Sequence, residues 1–84
     1  MGSFVFENSF EQDVTVQIEP WAQAFDIKPR QRVTFTYADN PDNRIEFAYS
    51  GPGQAFIALM ASEVVISGHG GPDLRYGFDE SPAD

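Results

Sequence analysis

The chain has 84 residues, no cysteine and a formal charge of −8, from 13 acids against five bases. That balance argues against a nucleic-acid or anionic-membrane partner, because both need a basic surface, and the missing cysteines exclude disulfides and thiolate chemistry. One domain is expected, burying about 60% of its unfolded surface, and a hydrophobic fraction of 42% with 14% aromatics is too high for disorder. No apolar run approaches the ~20 residues that span a bilayer, and the N-terminus lacks a charged-then-apolar signal. A cytoplasmic location is the expectation.

Ser3 to Glu7 reads as a first strand, with Phe4 and Phe6 on one face and Val5 on the other, so that both faces are expected to be covered. Asn8 to Gln12 reads as a loop or wide hairpin connection. Asp13 to Glu19 alternates cleanly: Val14, Val16 and Ile18 point one way, Thr15, Gln17 and Glu19 the other. Pro20 lacks an N–H and ends that strand. Trp21 reads as a core plug or as a partly exposed platform for a ligand ring. Ala24 to Ile27 resumes an extended course. Lys28-Pro29-Arg30-Gln31 is a tight turn with Pro29 preset for its second position. Phe25 and Ile27 before it, with Val33 and Phe35 after it, predict a hairpin.

Val33, Phe35 and Tyr37 alternate with Arg32, Thr34 and Thr36. Asp39 to Asn43 carries the strongest turn signal, since Asx side chains bond their own backbone. Arg44 to Ser50 is a strand with Ile45, Phe47 and Tyr49 inward. Gly51-Pro52-Gly53 breaks it. Gln54 to Met60 is apolar on both faces, which fits a fully buried strand or two helical turns. Ser62 to Ser67 is a strand, Gly68 to Pro72 a glycine-rich loop, and Leu74 to Phe78 a last strand. Turn signals every ~8–12 residues predict an all-β fold, a small antiparallel sandwich or partly open barrel of six to eight short strands. The β domain is expected over residues 1–78, with an acidic, frayed tail over 79–84.

Phe6-Glu7-Asn8, Ile18-Glu19-Pro20-Trp21 and Phe25-Asp26-Ile27-Lys28-Pro29 resemble a family of short uncharacterised bacterial β-domain proteins. The shared pattern is an apolar strand, a Glu-Pro-Trp-like corner and an apolar-x-Pro-Gly turn, over roughly the first half of the chain. Arg30 stands where that pattern has Gly. The family has no assigned activity, so the resemblance carries over no functional residue. The apolar-x-Pro turn is also similar to that of cupredoxin sandwiches, in fold only: a type 1 copper site needs two His and one Cys, and the chain has one His and no Cys.

Residues able to do chemistry are few and scattered along the chain. His69, in Gly-His-Gly-Gly, has only Asp73 as a nearby carboxylate in the sequence. A metal site needs three or four ligands and a catalytic His needs an orienting partner. Gly68 to Gly71 lacks the Gly-Lys-Ser/Thr that completes a phosphate loop. Asp39, Asp42 and Asn43 do not match a calcium loop. Glu19 and Glu46 fall on outer strand faces, where a glycosidase pair would need a cleft between them. No cofactor is expected. Lys28, Arg30 and Arg32 form a positive spot on an acidic chain, a candidate contact for an acidic partner. Trp21, Tyr37 and Tyr49 are the candidates for stacking on a sugar or other ring. The expectation is a non-catalytic protein-interaction or structural module, a homodimer or a binder of another protein through an edge strand or aromatic patch. A small-ligand module built on Trp21 and the tyrosines is the first alternative, and an enzyme or metal protein built on His69 the second.

Overall fold

The structure, a computed structural model, describes residues 1–77. Phe78 and the acidic stretch over 79–84 lie outside the described residues. Eight strands and no helix make up the described chain: β1 (Gly2–Glu7), β2 (Val14–Glu19), β3 (Gln23–Ile27), β4 (Arg32–Tyr37), β5 (Arg44–Tyr49), β6 (Ala55–Met60), β7 (Val64–Ser67) and β8 (Leu74–Tyr76). They form two four-stranded sheets, ordered β1-β4-β7-β8 and β3-β2-β6-β5. The all-β expectation holds.

Alternation builds the interior. Val14, Val16 and Ile18 of β2, Val33 and Phe35 of β4, Ala55, Ile57 and Leu59 of β6, and Val64 and Ile66 of β7 are all buried in one cluster. Burying side chains of this size contributes roughly 1.5–3 kcal/mol each, which is what holds the two sheets face to face without disulfides. The sheets are not purely antiparallel: β2 and β6 run parallel, from Thr15 opposite Phe56 to Glu19 opposite Met60. The segment Gln54 to Met60 is therefore a strand. It is not buried on both faces, because Phe56 and Met60 are exposed on the outer side. Val5 is likewise exposed, so only one face of β1 is covered.

The expected hairpin across Lys28-Pro29-Arg30-Gln31 does not form. β3 pairs with β2, and β4 pairs with β1, so the turn carries the chain from one sheet to the other. Inward apolar residues on both sides of a turn fit a hairpin and a sheet-crossing arch equally well. The deciding residue is distant in sequence. Asn8, fully buried at the end of β1, donates from Nδ2 to the carbonyls of Gln12 (2.8 Å) and Ile27 (2.9 Å) and accepts from the Phe10 amide on Oδ1 (2.9 Å). Its backbone N–H donates to Gln31 O, and its carbonyl accepts from Arg30 N. Every polar group of Asn8 is used, and together they bind the arch to the end of β1.

The turn itself is of type II, with Gln31 N–H donating to Lys28 O, Pro29 second and Arg30 third at φ 71°. Pairing Asn8 against both Arg30 and Gln31 makes a bulge whose first residue is left-handed, the place glycine normally takes. Arg30 thus adopts a glycine backbone. Gly68, at φ +91°, is a true glycine position: a Cβ there would lie 2.7 Å from Arg32 O.

Candidate functional site

One side of the sandwich is open. It is bounded by β1, the edge of the first sheet, and β5, the edge of the second. The side chains of Ile45, Phe47 and Tyr49 project from β5 on the same face as Leu59, Ile57 and Ala55, their partners on β6. They face the core side, as the alternation predicts. They are not buried, because no described strand lies beyond them: Ile45 is 46%, Phe47 48% and Tyr49 50% exposed.

Aromatic rings line this opening. Phe4 stacks on Phe35 (4.8 Å between centroids), and Tyr37 tilts against Phe4 (6.2 Å). Phe6 and Phe10 both meet Phe47 at 5.9 Å, and Phe10 stacks on Tyr49 at 5.1 Å. The seam runs from Tyr37 to Tyr49, with a cleft of about 230 Å³ at the Tyr37 end lined by Phe4, Ile45, Leu59 and Ala61 among others.

The backbone of β5 is open along the same line. Ser50 N–H donates to Gln54 O (3.0 Å), which fixes the phase of the β5–β6 ladder. In an antiparallel pair, hydrogen-bonded and non-bonded positions alternate. Arg44, Glu46 and Ala48 therefore turn their N–H and C=O groups toward β6. Ile45, Phe47 and Tyr49 turn theirs toward solvent, so each of these residues offers a half-exposed side chain and two open backbone groups. Edges are protected by proline, a bulge, an inward-pointing charge or charged side chains along the strand, and of these β5 has only the outward-facing Arg44 and Glu46. Between Pro41 and Pro52 the strand has no proline, no bulge and no inward-pointing charge.

No family model matches the chain, and no curated protein or solved structure is significantly similar to it. The resemblances to short bacterial β-domain proteins and to cupredoxin sandwiches rest on short stretches of residues alone.

The structure does not gather the three candidate ring-binding residues. Tyr37 and Tyr49 lie toward opposite ends of the seam, engaged with Phe4 and Phe10. Trp21 is half-buried at another edge of the sandwich, 5.4 Å from Tyr76 of β8. It is at the rim of the core, not inside it. The 230 Å³ cleft is also below the ~300 Å³ where ordinary ligand pockets begin, and a larger hollow of about 390 Å³, over Thr15, Gln17, Gln54 and Phe56, is lined by none of the three.

Lys28, Arg30 and Arg32 each meet an acid of their own chain. Lys28 Nζ is 2.9 Å from Asp13, Arg30 3.3 Å from Glu11 and Arg32 2.9 Å from Glu7. The hydrogen bond that Lys28 donates to Asp13, then the Asp13 charge, raises the Lys28 pKa above the ordinary 10.5. The turn that reads as a positive spot in the sequence is therefore locally neutralised.

His69 is held within its own loop: Nε2 is 2.8 Å from Pro72 O, and the ring lies 5.3 Å from Phe25. Among the described residues, no three His, Asp or Glu side chains come together as metal ligands. In the Asp39–Asn43 turn, Asn40 Oδ1 accepts from Asp42 N, Asn43 Nδ2 donates to Ala38 O, and Asp39 pairs with the amino terminus of Met1 at 2.9 Å. Glu19 and Glu46 line one shallow hollow on the outer face with Arg44, Ala58 and Met60. No described helix is long and apolar enough to cross a membrane.

Two features escape the sequence reading. Asn8 continues the inward parity of Phe4 and Phe6, which is the signal that could have marked it as buried. The open edge of β5 has no local signal, because strand order is set by pairings far apart in the chain.

Proposed function

We propose that the protein is a non-catalytic interaction module that docks a partner by strand addition along β5. The observation that carries this reading is the coincidence, on Ile45, Phe47 and Tyr49, of half-exposed apolar side chains and open backbone groups. Strand addition uses both: main-chain bonds give affinity, and alternate side chains give selectivity.

Hydrogen exchange tests whether the edge is available. Amides of Ile45, Phe47 and Tyr49 are expected to exchange quickly, while those of Glu46 and Ala48 are protected by β6. Uniform protection along β5 in the isolated protein defeats the reading. Phe47→Pro tests use of the edge, because it removes an outward N–H and leaves the β6 ladder intact. Partners that bind the wild type and the folded proline variant equally well do not use this edge.

A further inference from the structure

The two faces of β5 differ in character, and the difference specifies the partner. On the inner side the edge presents Ile45, Phe47 and Tyr49. On the outer side it presents Arg44, Glu46 and Ala48, with Glu19 sharing the hollow beside Glu46. Two acids, Glu19 and Glu46, thus share the hollow with one base, Arg44, on a chain whose net charge is −8. Lys28, Arg30 and Arg32 cannot relieve that field, since each is already paired with Asp13, Glu11 or Glu7. A strand laid against β5 sends successive side chains to opposite faces. Its inner-facing residues meet the aromatic seam, and its outer-facing residues meet Arg44, Glu46 and Ala48, with Glu46 at the centre.

We propose that β5 receives an extended segment of a basic partner protein, in which apolar residues alternate with Lys or Arg. This rests on the strand-addition reading above and adds the chemistry of the occupant. A second copy of the chain is the poorer occupant on net charge, because it brings the same −8 to the contact. Like charges brought together across an interface oppose association, while opposite ones steer and orient it.

The test uses three synthetic peptides that share alternate Ile residues and differ between them, carrying Lys, Ser or Glu. Each is titrated into the full chain and followed by amide chemical shifts. The Lys peptide is expected to shift the amides over 44–49 selectively, to weaken with added salt, and to bind roughly tenfold more tightly than the Glu peptide. Glu46→Lys, an outward and exposed change, is expected to remove that preference. Phe47→Pro is expected to abolish the shifts. If all three peptides shift β5 alike, the basic-partner inference is overturned and strand addition stands. If no peptide shifts β5, or the shifts fall elsewhere, strand addition itself fails. Dilution-dependent shifts over 44–49 without peptide make a second copy the occupant and overturn the basic partner.

Discussion

Replacing Asn8 by alanine removes three side-chain hydrogen bonds at a position with no solvent access. The costs are unequal. Ile27 O loses its bond in a buried setting, while Gln12 O and the Phe10 amide are only partly buried. An orphaned buried polar group costs about 1–3 kcal/mol, and a partly solvated one less. The sum is about 3 kcal/mol. A domain of this length has a total stability of roughly 4–13 kcal/mol, so the variant loses a quarter or more of it. Each kilocalorie lowers the Tm of a domain this size by about 4–8 °C, giving an expected drop of roughly 12–24 °C. Urea and thermal unfolding by circular dichroism measure it. Asn8→Asp supplies a control of the same shape: as a carboxylate it puts oxygen where Nδ2 donates to two carbonyls. Its deficit is therefore expected to be larger at pH 7 than at mildly acidic pH, where the acid can donate once. If Asn8→Ala falls within 0.5 kcal/mol of wild type, a margin of about the size of ordinary surface changes, Asn8 does not bind the arch to β1.

Arg30→Gly removes a side chain from a left-handed position. It is expected to raise stability by about 0.5–1 kcal/mol, since the exposed pair with Glu11 that it forfeits contributes little. A lower urea midpoint refutes the turn geometry. Gly68→Ala is expected to cost about 1–3 kcal/mol through its positive φ and the close approach to Arg32 O; an unchanged midpoint counts against it. Arg32→Gln is expected to change stability by less than about 1 kcal/mol, and a larger loss means that the Glu7 pair matters more than its exposure implies. For Lys28 the raised pKa places any linked loss of stability above pH 10.5, as the ammonium titrates. Lys28→Met should therefore match the wild-type stability–pH slope between about pH 6 and 9, by urea titration at several pH values.

The alternation of Val14, Val16 and Ile18, and of Val33 and Phe35, was legible because burial on one face imposes a period of two. The same period placed Ile45, Phe47 and Tyr49 on the core side and said nothing about whether a strand would cover them. Periodicity reports which face a residue takes; exposure at an edge depends on which strands are neighbours. The Lys28–Gln31 turn shows the same division. Pro29 marked a tight turn, but only Asn8, twenty residues before Lys28, fixes where the turn leads. The positive reading of Lys28, Arg30 and Arg32 failed to anticipate Asp13, Glu11 and Glu7 as their partners, because those pairs form between segments adjacent only in the folded chain.

The parallel pairing of β2 with β6 has a consequence for how the protein comes into being. Thr15 waits for Phe56, about forty residues downstream, before the second sheet can be completed. Long-range closure of this kind is slow relative to local pairing. During synthesis the first half of the chain therefore carries Val14, Val16 and Ile18 without their final neighbour, and a nascent chain halted before Ala55 should be readily cleaved by protease where the finished one resists.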